Sequence, residues 1–304
     1  MSDKKNILIT GGSGLIGKIL TNELIEKGYN VSHLNRSPGK DMRVKTFLWD
    51  VKKGLIDQHC IDGIDTIVHL AGAGIADKRW TNKRKKILIN SRTKSIGLIY
   101  DLIKNKKNTV QYIISASAIG YYGNREDEIL TEDSEPGNGF LSECCIEWEK
   151  AVDEGEKLGL SITKFRTGVV LNAEGGALPQ MAFPVKIGLG SPLGSGRQWI
   201  PWIHWQDVAG MYVYGIENQL PGGVYNMVAP RPVTNKEQTK AVARQLHRPL
   251  WLPKVPAFVL KLLLGEMSAV VLGSTRVSSS KIEKEGFKFK FPVLTEALKE
   301  IYGQ

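Results

Sequence analysis

A short apolar strand, a run of glycines, an amphipathic helix and a second strand follow one another between residues 6 and 37. This order constrains the fold more than any other feature of the chain. Asn6-Ile7-Leu8-Ile9-Thr10 has the apolar character of a buried strand, and Gly11, Gly14 and Gly17 follow at GxxGxxG spacing. Gly11 allows the tight turn, Gly14 lets backbone approach a pyrophosphate at a helix N-terminus, and Gly17 lets the helix pack on the strand. Ile19, Leu20, Leu24 and Ile25 then recur at helical spacing. Placed between a strand and a helix, these glycines predict a dinucleotide cradle made by Thr10, Gly11, Gly12, Ser13, Gly14, Leu15, Ile16 and Gly17.

The end of the second strand bears on which dinucleotide is bound. A site for NAD usually places Asp or Glu there, to accept hydrogen bonds from the adenine ribose. This chain has Asn35, Arg36 and Ser37. A carboxylate repels a 2′-phosphate, whereas Arg36 pairs with it and Ser37 donates to it. NADP(H) is therefore the expected cofactor, ahead of NAD. The alternative for Arg36 is a solvated surface residue.

The 304 residues suffice for one large or two modest domains. A net charge of +10 is compatible with nucleic acid or a membrane surface, yet the lysines are scattered. Their one dense run, Lys83, Arg84, Lys85 and Lys86, adjoins Ile87, Leu88 and Ile89 and has the form of a solvated helix face. No aromatic-rich basic groove or metal-ligand spacing accompanies it, so a small molecule is expected as partner rather than nucleic acid or membrane. Cys60, Cys144 and Cys145 form no disulfide framework and read as small buried hydrophobes in a reducing compartment. The first strand begins within six residues of the start, which leaves no room for a signal or transit peptide; a cytoplasmic location is expected. The most apolar late stretch, residues 255–272, is broken by Lys261, Gly265 and Glu266, and reads as buried helices rather than a membrane span.

Strand patterns at 7–10, 30–34, 45–48, 66–70, 112–115 and 161–166 alternate with helical patterns at 18–27, 84–105 and 144–158. Such alternation predicts an α/β fold, a Rossmann-type doubly wound parallel sheet, with function at the carboxyl ends of its strands. Residues 174–196 are crowded with glycine and proline and read as a loop-rich flap. Residues 203–216 and 223–227 return to the sheet, and 294–302 form an amphipathic tail helix. The expected division is a cofactor domain of residues 1–172 with a return segment at 200–228, and a smaller C-terminal cap domain of residues 173–199 and 229–304.

The glycine run, His69-Leu70-Ala71-Gly72, Ser115-Ala116-Ser117-Ala118-Ile119-Gly120-Tyr121-Tyr122-Gly123, Arg166-Thr167-Gly168-Val169-Val170-Leu171 and Trp202-Ile203-His204-Trp205-Gln206-Asp207-Val208 carry a likeness. Over nearly its full length the chain resembles the extended short-chain dehydrogenase/reductase superfamily. More narrowly it is similar to the atypical branch called epimerase family, or nucleoside-diphosphate-sugar epimerase-like oxidoreductase. The paired tyrosines, Cys145-Ile146-Glu147-Trp148-Glu149, Gly194-Ser195-Gly196-Arg197-Gln198 and Leu272-Gly273-Ser274-Thr275-Arg276-Val277 mark that branch. The resemblance implies that Leu70, Ala71, Gly72 and Ala73 line the cofactor and that Ser115 and Ser117 lie beside the nicotinamide. It also implies that Ser117 hydrogen-bonds a substrate oxygen and that Arg166 lies under the nicotinamide. His204 and Asp207 match a signature that is mainly structural. Homodimers are frequent in the superfamily through the helices at 84–105 and 144–158; the charge at residues 83–86 keeps a monomer open.

Active members use a Tyr and, four residues later, a Lys on the helix that starts near residue 140. The phenol moves the proton while hydride moves, and the ammonium lowers the phenol pKa. This chain offers Phe140 with Cys144, or Leu141 with Cys145, and so lacks the pair. Tyr121 and Tyr122, directly after the nicotinamide strand, are the replacement candidates, at least one of them alternatively a packed aromatic. Glu143 and Cys144 are weaker ones. On the substrate side, Ile200 stands where sugar-nucleotide epimerases usually carry an Arg for the diphosphate. Arg197, Trp202 and Arg276 are the expected substrate contacts, in a pocket suited to a smaller or more apolar ligand than a nucleotide sugar; packing between domains is the alternative for the tryptophans. Three functions compete. They are an NADP(H)-dependent oxidoreductase acting on an unidentified alcohol or carbonyl, a non-catalytic NADP(H) sensor, and a nucleotide-sugar epimerase.

Overall fold

Side chains of opposite parity on the first strand face opposite ways, and both ways are apolar. That is the pattern of a central parallel strand covered on both faces. The computed structural model describes residues 5–303, so residues 1–4 and 304 of the expected domain bounds lie outside the described residues. Its first half contains β1 (Asn6–Thr10), α1 (Leu15–Glu26), β2 (Asn30–Asn35), β3 (Lys45–Asp50), β4 (Leu55–Ile56), β5 (Thr66–His69), α2 (Asn82–Asn105), β6 (Tyr112–Ala118), β7 (Ile129–Leu130) and α3 (Phe140–Asp153). There follow β8 (Ser161–Thr167), β9 (Val169–Leu171), α4 (Ala177–Lys186), β10 (Trp199–Ile200), β11 (Trp202–His204), α5 (Trp205–Asn218), β12 (Gly223–Met227) and β13 (Val233–Thr234). The chain ends through α6 (Asn235–Gln245), α7 (Ala257–Leu264), α8 (Ala269–Leu272), β14 (Arg276–Val277), α9 (Ser280–Lys284) and α10 (Leu294–Tyr302).

Eight strands form one sheet in the order β12-β8-β6-β5-β1-β2-β3-β4, parallel throughout except for the last pair. This is the Rossmann-type α/β architecture that the alternation predicts. Ile7 and Ile9 join Leu20 and Leu24 of α1 and Val208, Met211 and Tyr212 of α5 on one face. Leu8 joins Ile96 and Ile99 of α2 and Trp148 and Val152 of α3 on the other. Each such side chain, fully buried, contributes roughly 1.5–3 kcal/mol.

The extra C-terminal region has its own core, where Leu178, Ala182 and Val185 of α4 meet Val242 and Ala243 of α6 and Leu294, Ala297 and Leu298 of α10. Two polar ties hold its last segments to β11 and α5. Buried His204 caps α5 by accepting from the Gln206 N–H, and its Nε2 lies 2.8 Å from Glu300 Oε2. Buried Asp207 accepts from the backbone N–H groups of Lys290 and Phe291 at 2.7 and 3.0 Å. Both are structural roles, as the signature implies.

Three expectations about elements need correction. Helices α1 and α3 begin three and four residues earlier than their apolar spacing indicates, because Gly14 and Gly139 supply non-helical N-cap backbone. The flap at 174–196 contains α4; Pro184 is tolerated inside this helix while Leu178, Ala182 and Val185 are buried. The apolar stretch at 255–272 is not buried. Leu260 is the one buried residue of α7, and Phe258, Leu262 and Leu263 face outward.

Burial makes stability depend on pH. His69 is wholly enclosed between Ser95 Oγ (2.8 Å) and Ser115 Oγ (3.1 Å), and desolvation, with the Arg92 charge adding to it, pushes its pKa down to about 3. The unfolded chain takes up that proton near pH 6.5 and the native state does not, so this stability is present above pH 6.5 and is lost as pH falls toward 3. Urea unfolding of the wild type should weaken by roughly 1.4 kcal/mol per pH unit from this group across that window. His69→Gln, which keeps hydrogen bonding without the titration, should flatten the profile by that amount; an unchanged profile contradicts the assignment.

Candidate active site

The carboxyl ends of β1, β2, β5, β6 and β8 lie along one edge of the parallel sheet, where a fold of this kind forms its crevice, and the backbone packs closely at its floor. Thr10 Oγ1 accepts from the N–H groups of Leu70 and Ala71, both at 3.1 Å, and locks the end of β1 to the loop after β5. Gly11 turns at φ +72°, a left-handed conformation that favours glycine. A Cβ on Gly12 would lie 2.5 Å from the His33 ring, and one on Gly17 would lie 2.5 Å from the Gly11 carbonyl oxygen. The chain therefore passes between helix and sheet only because those side chains are missing.

Above this floor α1 begins at exposed Ser13 and Gly14, with no side-chain cap and no acidic residue in its first turn. The Gly14 N–H bonds the Gly11 carbonyl at 2.9 Å, while the N–H groups of Leu15, Ile16 and Gly17 have no intrahelical acceptor. Such an end, carrying the positive pole of the helix, receives a phosphate anion. These residues fit a pyrophosphate. At the end of β2, Asn35 is buried and Arg36 and Ser37 are exposed; Arg36 has no hydrogen-bond or ion-pair partner among the described residues. Past β5, Leu70, Ala71 and Ala73 are half-buried and Gly72 is exposed. Arg92 supports this loop from beneath, donating to the carbonyls of Ala73 (3.1 Å) and Leu88 (2.8 Å) while stacked 4.9 Å from the Trp148 ring.

The reacting end is built around a buried ion pair that the sequence expectations missed. Arg166 Nε and Nη2 donate to Glu149 Oε1 and Oε2, each at 2.9 Å, and Ser117 Oγ donates to Glu149 Oε1 at 2.6 Å. Arg166 Nη1 donates to the Tyr122 hydroxyl (2.9 Å) and to the Glu132 carbonyl (3.2 Å). Tyr122 in turn donates to Asn226 Oδ1 at 2.7 Å. Burial opposes the charge of Arg166, yet its hydrogen bonds and the charge of Glu149 outweigh that and hold its pKa above the ordinary value. The signal was available. Cys145, Trp148, Glu149 and Val152 recur on one face of α3, so Glu149 lies on the buried side, where a carboxylate needs a cation.

This network corrects four expected roles. Ser117 is buried with its proton committed to Glu149, so it braces the network rather than offering that proton to a substrate. Ser115 is turned inward to His69. Four of the five N–H donors of the Arg166 guanidinium are taken by protein groups, so its first role is to hold this network rather than a cofactor. Tyr122 is fully buried, and desolvation pushes its pKa up to about 12 against the pull of Arg166, so it is a packed aromatic and a poor proton donor. Tyr121 differs. It is half-buried, its ring lies 3.4 Å from the Arg166 guanidinium carbon, and its hydroxyl has no hydrogen-bond partner among the described residues.

The weaker candidates fall away. Burial pushes the Cys145 thiol up to about 12 and raises that of Cys144, so both act as small buried hydrophobes; Glu143 is exposed. Where the superfamily tyrosine is expected, Phe140 packs edge-on against Trp80, with ring centroids 4.9 Å apart, and Lys85 Nζ lies 5.3 Å from its ring. Trp202 is fully buried and donates to the Arg231 carbonyl at 3.0 Å, so it is core and not a substrate contact. Arg197 is exposed, and Arg276 stacks 4.7 Å from the Trp199 ring. Removing one partner of the buried pair should be severe: Glu149→Ala is expected to lower unfolding free energy by ~3–5 kcal/mol in urea titrations, and a loss below ~1 kcal/mol contradicts a dry, fully paired site.

Comparison with known proteins agrees with this fold. Residues 7–227 match the NAD dependent epimerase/dehydratase family, and residues 255–301 match a domain of unknown function, DUF1731. The chain is 37% identical over 298 residues to the epimerase family protein YfhF of Bacillus subtilis, covering 97% of both chains. Among solved structures it is similar to the human epimerase family protein SDR39U1, described with NADPH, at TM-score 0.85 and 31% identity over 98% of this chain and 99% of that one. It is also similar to a nucleoside-diphosphate sugar epimerase from Corynebacterium glutamicum, at TM-score 0.81 and 30% identity over 99% of this chain and 59% of that one. With its glycine cradle, parallel sheet and full-length relatives, the chain belongs to the NAD dependent epimerase/dehydratase family.

Proposed function

We propose that this chain is an NADP(H)-dependent oxidoreductase of the epimerase-like type, acting on an alcohol or carbonyl. The observation that carries it is an uncapped α1 N-terminus set beside an unpaired, exposed Arg36. NADPH in the human relative supports the choice of dinucleotide. In this reading residues 1–172 and 200–228 hold the cofactor, and residues 173–199 and 229–304 form the cap.

When bound, the nicotinamide supplies or accepts a hydride. The protein does the rest. The N–H groups of Leu15, Ile16 and Gly17 hold the pyrophosphate, Arg36 and Ser37 hold the 2′-phosphate, and the backbone of residues 70–73 lines the adenosine and phosphates. Tyr121 carries the proton of the substrate oxygen, with Arg166 stacked on its ring, and Trp80 and Phe140 keep water away. A phenol without the usual lysine forfeits part of the ~10²- to 10⁴-fold that acid–base catalysis contributes, so turnover is slow.

Two measurements test this reading. In direct titrations NADPH should bind more tightly than NADH, and Arg36→Glu should weaken NADPH by about tenfold or more while sparing NADH; tighter NADH binding by the wild type refutes the cofactor assignment. In absorbance assays of NADPH across a carbonyl panel, Tyr121→Phe should lower kcat by about 10²-fold with little change in KM. Unchanged kcat removes Tyr121 from the chemistry. A second reading, a non-catalytic NADP(H) sensor, is favoured by the engagement of Ser117, Tyr122 and Arg166 in the buried network. It predicts tight NADPH binding without turnover of any substrate.

A further inference from the structure

We propose that the outward face of α7 and the segment leading into it form a docking surface for an anionic lipid bilayer. A helix that reads Ala-Phe-Val-Leu-Lys-Leu-Leu-Leu is expected to lie inside a protein, yet Phe258, Leu262 and Leu263 are 71, 80 and 60% exposed. Trp251, just before it in the chain, is 68% exposed. Scattered apolar residues on a surface are ordinary; four large ones on one short segment mark an interaction site.

The charges around this face select the partner. From residue 249 to 264 the chain carries Lys254 and Lys261 and no carboxylate, and both lysines are exposed. Glu266, the next acidic residue, is engaged in an ion pair with Lys85. Exposed leucines and an aromatic flanked by lysines suit the boundary between acyl chains and anionic headgroups, where lysine stems lie along apolar surface and their ammonium groups reach phosphate. A second copy of the chain fits less well, because a two-fold contact would set the lysines against each other with no carboxylate in the segment 249–264 to pair them. The chain's net charge of +10 acts in the same direction.

The face is fixed near the mouth of the crevice. Arg79 Nη2 donates to the Leu263 carbonyl at 3.0 Å, and Lys85, which pairs with Glu266, also lies over the Phe140 ring. Docking through α7 therefore brings the aromatic corner made by Trp80 and Phe140 close to the membrane surface. The proposal does not rest on which cofactor the crevice holds.

The test is co-sedimentation of the full-length protein with sucrose-loaded vesicles, either phosphatidylglycerol mixed with phosphatidylcholine or phosphatidylcholine alone. The wild type should pellet with the anionic vesicles and much less with the neutral ones. Phe258→Ser combined with Leu262→Ser should cut partitioning by about tenfold or more, and Lys254→Glu combined with Lys261→Glu should remove the preference for anionic lipid. Both pairs lie on exposed positions, and unchanged circular dichroism and NADPH titration confirm an intact fold. Wild type left in the supernatant with both vesicle types overturns the proposal. A concentration-dependent dimer in analytical ultracentrifugation that the serine pair dissociates, without vesicle binding, assigns the face to a second copy instead.

Discussion

The Glu149–Arg166 pair is the contact on which the reacting end of this molecule depends. Arg166 lies at the end of β8, Glu149 on α3, Ser117 on β6 and Asn226 on β12, so one buried network ties three adjacent strands to a helix. Taking both charges out of water costs several kcal/mol per ion, and such a pair is stable only when its remaining donors and acceptors are satisfied. Here Ser117, Tyr122 and the Glu132 carbonyl complete it. The consequence is chemical as well as structural. Polar groups that could have faced a substrate are turned into the protein, and beside them Tyr121 keeps a hydroxyl with no hydrogen-bond partner among the described residues.

That arrangement gives physical content to the missing Tyr and Lys. In their place stand Phe140, packed on Trp80, and buried Cys144. The site is therefore less charged than the superfamily pattern implies. In the proposed reading, proton transfer falls to one phenol stacked on a guanidinium, and cofactor binding to the open helix end and the exposed residues after β2.

Much of this was legible in the chain because burial on two faces leaves a simple mark. The apolar run in β1, the glycine spacing and the alternation of strand and helix patterns all point to the same sheet, and local and global preferences agree there. The tight glycine turn was legible for the same reason, since a glycine with no room for a Cβ is a backbone constraint that shows in sequence. The network at Glu149 was harder. Its members are spread from residue 117 to residue 226, and only the helix periodicity hinted that Glu149 faces inward. The hydroxyls of Ser115 and Ser117 look like site residues by motif, yet both point into the protein, toward His69 and Glu149. Apolar content misled at α7, because hydrophobicity predicts what avoids water and not whether this chain supplies the cover.

The cofactor cradle is the claim on which the functional reading stands, and isothermal titration of ligand-stripped wild-type protein with NADPH tests it most directly. One saturable site per chain, abolished when Gly14→Val places a side chain at the α1 N-terminus of an otherwise folded protein, is the predicted result. No heat at millimolar NADPH or NADH, from protein whose unfolding remains cooperative, contradicts it.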